Sequence, residues 1–377
     1  MRDRSARRLP FANFVHGLQT EVGGLGLSVW PSAPISPCPL TMSLRRCTVS
    51  ADHESRPTFA DVLAARRRIR PYLAPTPLIR ADSLSDALGF DVLLKLEVLL
   101  PIRAFKVRGG VNLAAADHAA GRLPPVGMVA ASTGNHGQSV AYAGRLFDVP
   151  VRVFVPEAAN DVKTRAMERL GATVVRTGRD FDAAREAAEA YAAAQGARYV
   201  HSMNEPLLIA GVGTLYLEAL EEAPDADVIF VPMGGGSGAS AAGLVAKTVN
   251  PSARVIGVQA EGAPALHNAY RTGRLEETPA VKTEAEGLAT RVAFSLPLAM
   301  IRDTVDDVVL VSDRELYAAQ RLLLRHARVL PEMAGAAGLA AALRARDELQ
   351  RRRVILPLTG ANGSDDELSR VLSEGWD

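Results

Sequence analysis

From Thr58 onward the chain alternates between two rhythms. Short runs dense in Val, Ile, Leu and Phe predict strands over 91–96, 127–131, 151–155, 172–176, 198–201, 227–232, 254–259, 307–311 and 354–358. Between them, Ala-, Arg- and Glu-rich stretches with apolar residues three or four apart predict helices such as 161–170, 181–195, 206–222, 314–327 and 335–349. Strands alternating with helices in this way predict an α/β fold of mostly parallel sheets flanked by helices. Nine strands are many for one simple sheet, so two lobes with a cleft between them are expected. Residues 126–204 then form the smaller, mobile lobe, and 57–125 with 205–377 the larger.

Residues 1–56 follow neither rhythm. Pro, Ser and Gly are scattered through 23–39, and the segment is expected to be a loosely packed extension or an upstream start, with Met42 as the true one. Arg2, Arg4, Arg7 and Arg8 look like the opening of a targeting peptide, but no continuous apolar run follows and Glu21 interrupts the acid-poor stretch.

Charge narrows the partners. The 377 residues carry 43 basic and 42 acidic side chains, a net +1, so no clustered basic excess points to nucleic acid or a membrane surface. No window approaches the roughly 18 consecutive apolar residues of a membrane span. The two cysteines, Cys38 and Cys47, exclude a disulfide scaffold in the body and fit a cytoplasmic protein. Lysine is scarce: Lys95, Lys106, Lys163, Lys247 and Lys282 are all there are, so chemistry that needs an amine has a short list.

Three polar loops follow predicted strands. Gly234-Gly235-Gly236-Ser237-Gly238 lies between strand 227–232 and a helix over 239–249, where converging N–H groups and the helix dipole favour a phosphate. Close strand-helix packing is the plainer account of those glycines. The overlapping G-x-G-x-x-A pattern, with Glu261 after the next strand, also allows a dinucleotide. Ser132-Thr133-Gly134-Asn135-His136 precedes a helix over 139–147, either as a ligand loop or with Asn135 as a helix cap. Thr359 to Gly363 forms the third loop, and Glu332 is an acid in an apolar run, either a helix-start charge or a buried carboxylate. Lys106, in Phe105-Lys106-Val107-Arg108-Gly109, sits where an extended stretch gives way to a helix.

In combination and in order, these motifs resemble the fold-type II pyridoxal-phosphate enzymes, whose architecture is that of the tryptophan synthase β chain. The nearest likeness is to their threonine/serine dehydratase and serine racemase branch, over about residues 57–365. The resemblance implies pyridoxal 5′-phosphate as cofactor and Lys106, beside Phe105, as its Schiff-base residue and general base. It implies that Asn135 contacts the coenzyme's 3′-oxygen and that Gly234, Gly235, Gly236, Ser237 and Gly238 bind its phosphate. Thr359 would meet the pyridine nitrogen, and Glu332 would complete the coenzyme site. Ser132, Thr133, Gly134, His136 and Gly287 would hold the amino-acid substrate.

The implied reaction is β-elimination on L-threonine or L-serine to a 2-oxo acid and ammonia. Amino-acid racemisation, with the Thr133 hydroxyl as acid on the opposite face, is the alternative, as is 3-hydroxyaspartate dehydration. Arg103, where a small residue is expected, and Met333 depart from the family pattern. They motivate a further reading as a coenzyme-binding homologue with little activity. No metal is assigned, because His267 falls where a racemase-like site would need an aspartate alongside Glu261. A homodimer or homotetramer is expected.

Overall fold

The computed structural model describes residues 56–159 and 161–373. Apart from Arg56, the expected extension lies outside the described residues, as do Met42 and both cysteines.

The strands are β1 (Leu78–Arg80), β2 (Asp91–Lys95), β3 (Met128–Ala131), β4 (Val151–Val155), β5 (Thr173–Arg176), β6 (Arg198–Tyr199), β7 (Val228–Pro232), β8 (Arg254–Ala260), β9 (Asp307–Val311) and β10 (Arg353–Pro357). They form two sheets, in the orders β1-β2-β10-β7-β8-β9 and β5-β4-β3-β6. Only β1 runs antiparallel to its neighbour. Each strand expected from the sequence is present, and β1 is the addition. It has three residues just after Pro75 and Pro77, too few to show an alternation.

The helices are α1 (Phe59–Ile69), α2 (Asp82–Leu88), α3 (Lys106–Ala119), α4 (Asn135–Leu146), α5 (Asp161–Arg169), α6 (Phe181–Gln195), α7 (Pro206–Glu222), α8 (Ser237–Val249), α9 (Ala265–Thr272), α10 (Ser295–Thr304), α11 (Asp313–Leu322), α12 (Met333–Arg344) and α13 (Asp365–Ser373). The helix expected over 314–327 changes character: α11 passes into a π-helical turn, Leu323–Ala327, which stops at Arg328 in the left-handed region (φ 58°). The one expected over 335–349 starts earlier and ends at Arg344.

Both faces of the six-stranded sheet are covered, which is why its central strands read as unbroken apolar runs. In β7, Val228 and Phe230 join the core on one face with Val354 and Leu356 of β10, while Ile229 and Val231 join Ile355 in the core on the other. Met128, Ala130, Val153 and Val155 build the core on one side of the four-stranded sheet, and Val129, Ala131 and Phe154 pack on its other side. The loops after β3, β7 and β10, at the C-terminal ends of parallel strands, meet at one cavity.

Candidate active site

Lys106 opens α3, and that helix is held by contacts that leave no room for side chains. A Cβ on Gly109 would lie 3.0 Å from the Leu208 carbonyl oxygen, one on Gly211 would meet the Arg108 carbonyl at 2.5 Å, and one on Gly110 would collide with Ser139. The chain backbones of α3, α4 and α7 therefore touch. Ser139 Oγ also donates to the Lys106 carbonyl at 2.6 Å.

Beneath this turn lies a water-excluded cluster of charges. Arg108 is fully buried and donates to Glu97 (2.6 and 2.9 Å), Glu218 (2.7 and 2.8 Å), Thr214 (3.0 Å) and Thr76 (3.3 Å). Lys95, equally buried, donates to Glu218 at 2.8 Å and to the Thr76 carbonyl at 2.6 Å. Burial opposes the charges, yet the two carboxylates keep the Arg108 guanidinium above its ordinary value. Burial also pushes the Glu218 carboxyl up, but Arg108 and Lys95 together hold it below the usual carboxylate range.

Lys106 Nζ enters a cavity of about 950 Å³. It donates to Ser237 Oγ at 2.8 Å and lies 5.2 Å from the centre of the Phe105 ring. Burial pushes this amine down to about 8. The loop residues expected from the sequence line the same cavity: Ser132 to His136, Gly234 to Gly238, Gly287, Glu332 and Thr359. Thr359 is tied to the lysine segment through its carbonyl, which accepts from Phe105 N at 2.9 Å.

The glycine loop serves packing as well as the cavity. Gly236 has φ 95°, which favours glycine, and a Cβ there would press on Leu266, Ile301 and Pro297. Cβ atoms on Gly234 and Gly235 would strike the Gly287 carbonyl and the Met203 side chain. Among the described residues, no protein acceptor takes the N–H groups of Gly235, Gly236, Ser237 or Gly238, so an anion can.

Asn135 is the first residue of α4 rather than its cap, which corrects the capping alternative. Gly134 holds that position, and the Asn135 carboxamide instead reaches Glu332 Oε1 at 2.7 Å. Glu332 is both of the things its sequence context allowed, the residue before α12 and a carboxylate in a poorly hydrated place; burial pushes it up to about 7. His136 Nε2 lies 2.9 Å from the Val200 carbonyl, and burial first, then the Lys106 charge, pushes the ring down to about 3, so it stays neutral.

Two departures from the family pattern are not in the cavity wall. Arg103 has an exposed side chain, and its burden is a left-handed backbone (φ 56°), where glycine fits. Met333 is buried in the core, with its N–H donating to Glu367 Oε1 at 2.7 Å. Bulk crowding the site from these two positions is therefore set aside. Glu261 accepts from Arg344 at 3.2 Å, and among the described residues no cluster of three or more His, Cys, Asp or Glu side chains could hold a metal ion.

The structure also brings in residues that local pattern did not single out. Lys163 of α5 pairs with Glu286, and Asp182 of α6 pairs with Arg291. Both pairs join the segment of the four-stranded sheet to the 286–291 loop across the cavity mouth. Asn362, in a loop already noted as polar, reaches Asn135.

The family model described as pyridoxal-phosphate dependent enzyme matches residues 69–360. The chain belongs to this family. Its coenzyme is pyridoxal phosphate. Within the pyridoxal-phosphate family, the chain is 36% identical to an L-threonine ammonia-lyase of Thermotoga maritima, over 84% of this chain and 79% of the relative. It is 33% identical to an L-threo-3-hydroxyaspartate ammonia-lyase of Saccharomyces cerevisiae, over 81% of this chain and 93% of that one. The solved structure of maize serine racemase superposes with a TM-score of 0.78 at 29% identity, covering 83% of this chain and 96% of the racemase.

The residues present fit a pyridoxal phosphate. The glycine-loop N–H groups suit a phosphate, and Lys106 offers an amine with no carboxylate bound to it among the described residues. Gly134 has nothing within 4 Å of where its Cβ would stand, so open space adjoins the loop expected to hold substrate.

Proposed function

We propose that this chain is a pyridoxal-phosphate-dependent ammonia-lyase that converts L-threonine or L-serine to a 2-oxo acid and ammonia. The observation that carries the reading is the meeting of Lys106 with Ser237 of the glycine loop, in a cavity that Asn135, Glu332 and Thr359 also line. When bound, the coenzyme supplies an electron sink that acidifies the substrate's α C–H bond and lets a β-hydroxyl depart.

The chain's own residues supply the rest. Gly234 to Gly238 anchor the phosphate through backbone N–H groups at the start of α8. The N–H groups of Thr133, Asn135 and His136, which donate to no protein acceptor among the described residues, point to a cradle for the substrate carboxylate. His136 stays neutral and keeps its ring on the Val200 carbonyl, so it adds no charge to that cradle. Lys106 would hold the coenzyme, and its free amine would take the proton from the substrate Cα. Burial suits it to this, because a lysine near 8 sheds its proton far more readily than a solvated one. Thr359, a neutral hydroxyl on the cavity wall, would meet the pyridine nitrogen without holding a proton there.

Residues 126–204 are proposed to move as a lobe that closes over the substrate, and the chain to assemble as a homodimer or homotetramer. Among the described residues no helix is long and apolar enough to cross a membrane. A cytoplasmic location is proposed from the cysteine usage alone.

Reconstitution with pyridoxal phosphate is expected to give a visible absorbance band, which borohydride fixes onto Lys106. A panel of β-hydroxy amino acids, including 3-hydroxyaspartate, is expected to release 2-oxo acid, and K106A to lower that rate at least a thousandfold. A colourless protein after reconstitution would overturn the reading. The likeness to maize serine racemase and the position of Thr133 on the cavity wall favour racemisation as the second reading. Loss of chirality in serine without 2-oxo acid would establish that reading instead.

A further inference from the structure

Asn135, Glu332 and Asn362 close a ring of hydrogen bonds at the cavity wall. Asn135 Nδ2 donates to Glu332 Oε1 at 2.7 Å, Asn362 Nδ2 donates to Asn135 Oδ1 at 2.6 Å, and the Asn362 backbone N–H donates to Glu332 Oε2 at 3.2 Å. Asn362 Nδ2 spends its second proton on the Ile102 carbonyl at 2.9 Å. The ring joins three segments distant in sequence, and Ile102 adds the loop that leads into Lys106.

Chemistry decides which way each carboxamide faces. The Ile102 carbonyl can only accept, so Asn362 turns its NH₂ towards it and towards Asn135. Glu332 Oε2 takes the Asn362 backbone N–H, which can only donate, and the ionised carboxylate accepts at Oε1 too, so Asn135 turns its NH₂ to Glu332 and its oxygen to Asn362. An exposed asparagine would be free to turn its carboxamide over; this one is held at both ends by acceptor and donor in fixed order. Glu332 has little freedom itself. Its backbone N–H donates to the Gly360 carbonyl at 2.9 Å, and a Cβ on Gly360 would strike its carboxylate. One proton of Asn135 Nδ2 remains for a ligand in the cavity.

We propose that Glu332 and Asn362 are positioning residues that lock the Asn135 carboxamide with its free N–H turned to an oxyanion in the cavity, the 3′-oxygen of pyridoxal phosphate. The proposal rests on the reading of Asn135 as a coenzyme contact and deepens it. A donor held in one orientation gains over a free one because no rotamer freedom is lost when the ligand binds. The lock also makes a short polar side chain at the start of α4 depend on residues about 200 positions further along the chain.

Four variants and a control test it, with coenzyme affinity, absorbance maximum and the Tm of the coenzyme-free protein as readouts. In E332Q the amide can accept from one partner only and must offer an N–H to the other, so the ring cannot close as before. N362D sets a carboxylate against the Asn135 oxygen. Each is expected to weaken coenzyme binding tenfold or more, shift the absorbance maximum and lower Tm. In E332Q/N362D the Asn135 carboxamide can turn over and close a ring of the opposite sense. The double variant is therefore expected to regain part of the Tm but neither coenzyme readout, whereas a merely structural role would restore all three together. N362A, which adds no charge, tests the loss of the Asn362 contact alone should N362D fail to fold, with the same expected fall in coenzyme affinity. Parent-like affinity and absorbance in E332Q and N362D, while N135A loses both, would overturn the lock and leave the Asn135 contact standing. Parent-like behaviour of N135A would overturn the contact itself.

Discussion

Two sets of charges flank the cavity, and they differ in what water can do to them. Beneath Lys106, the side chains of Lys95, Glu97 and Arg108 have essentially no solvent contact, and Glu218 has very little. Across the mouth, Lys163 meets a Glu286 whose side chain is 50% exposed, and Arg291 and Asp182 are 40% and 33% exposed. Inside, each charge is met by the others and by Thr76 or Thr214, away from solvent, so the group stands or falls together. At the mouth, water reaches Glu286, Arg291 and Asp182, while the Lys163 side chain is as buried as that of Glu218. Lys106 thus stands on a base closed to solvent, while the opposite wall is fastened by pairs that each keep at least one partner in contact with solvent.

The sharpest way to break this contrast is R108M. It leaves Glu97 and Glu218 buried with one cation between them, and about 3–5 kcal/mol of unfolding free energy should be lost in urea titrations. A loss below about 1 kcal/mol would mean that the glycine contacts of α3 suffice without the charges. Acid should reach the same network more gently. Glu218 is held below the ordinary carboxylate range, so its contribution is present above its unfolded value and disappears as pH falls through the lower folded one. Tm measured from pH 6 down to pH 3 should therefore fall more steeply for the parent than for E218Q.

K163M keeps the buried apolar stem and frees a half-exposed Glu286 to water, so it is expected to cost about 1 kcal/mol of stability. Its signature should be kinetic, a KM raised several-fold with kcat little changed; an unchanged KM would show that the pair plays no part in closing the cleft. R103G should have the smallest effect. Relief of the left-handed backbone is offset by the greater freedom of glycine in the unfolded chain, leaving a net change within about 1 kcal/mol by thermal melting. A rise in activity above the parent would return Arg103 to the list of groups that act on the site.

Much of the architecture was legible because it is written locally. An apolar run such as Val228–Pro232 followed by glycines and a helix needs no distant residue to be recognised, and neither do the loops holding Asn135 and Thr359. The nine expected strands are present for the same reason, whereas β1 went unseen because three residues after two prolines carry no period. Composition predicts one uniform helix over 314–327, since nothing in it distinguishes an α turn from the π turn at Leu323–Ala327. The resemblance of Phe105-Lys106 to a family lysine motif singled out one amine among five.

Contacts between segments could not be read in that way. Nothing near Lys163 or Arg291 in sequence marks a carboxylate partner, and only the approach of α5 and α6 to the 286–291 loop pairs them with Glu286 and Asp182. Glu332 had two possible identities until α12 was placed beside the loops of Asn135 and Asn362. Sequence alone determined the order of strands and helices and the polar loops at strand ends, because periodicity and turn residues act over a few positions, while a family resemblance pointed to one amine. Tertiary structure decided how that amine loses its proton, which way Asn135 faces and which charges never meet water. Desolvation and hydrogen-bond direction depend on groups brought together from far along the chain.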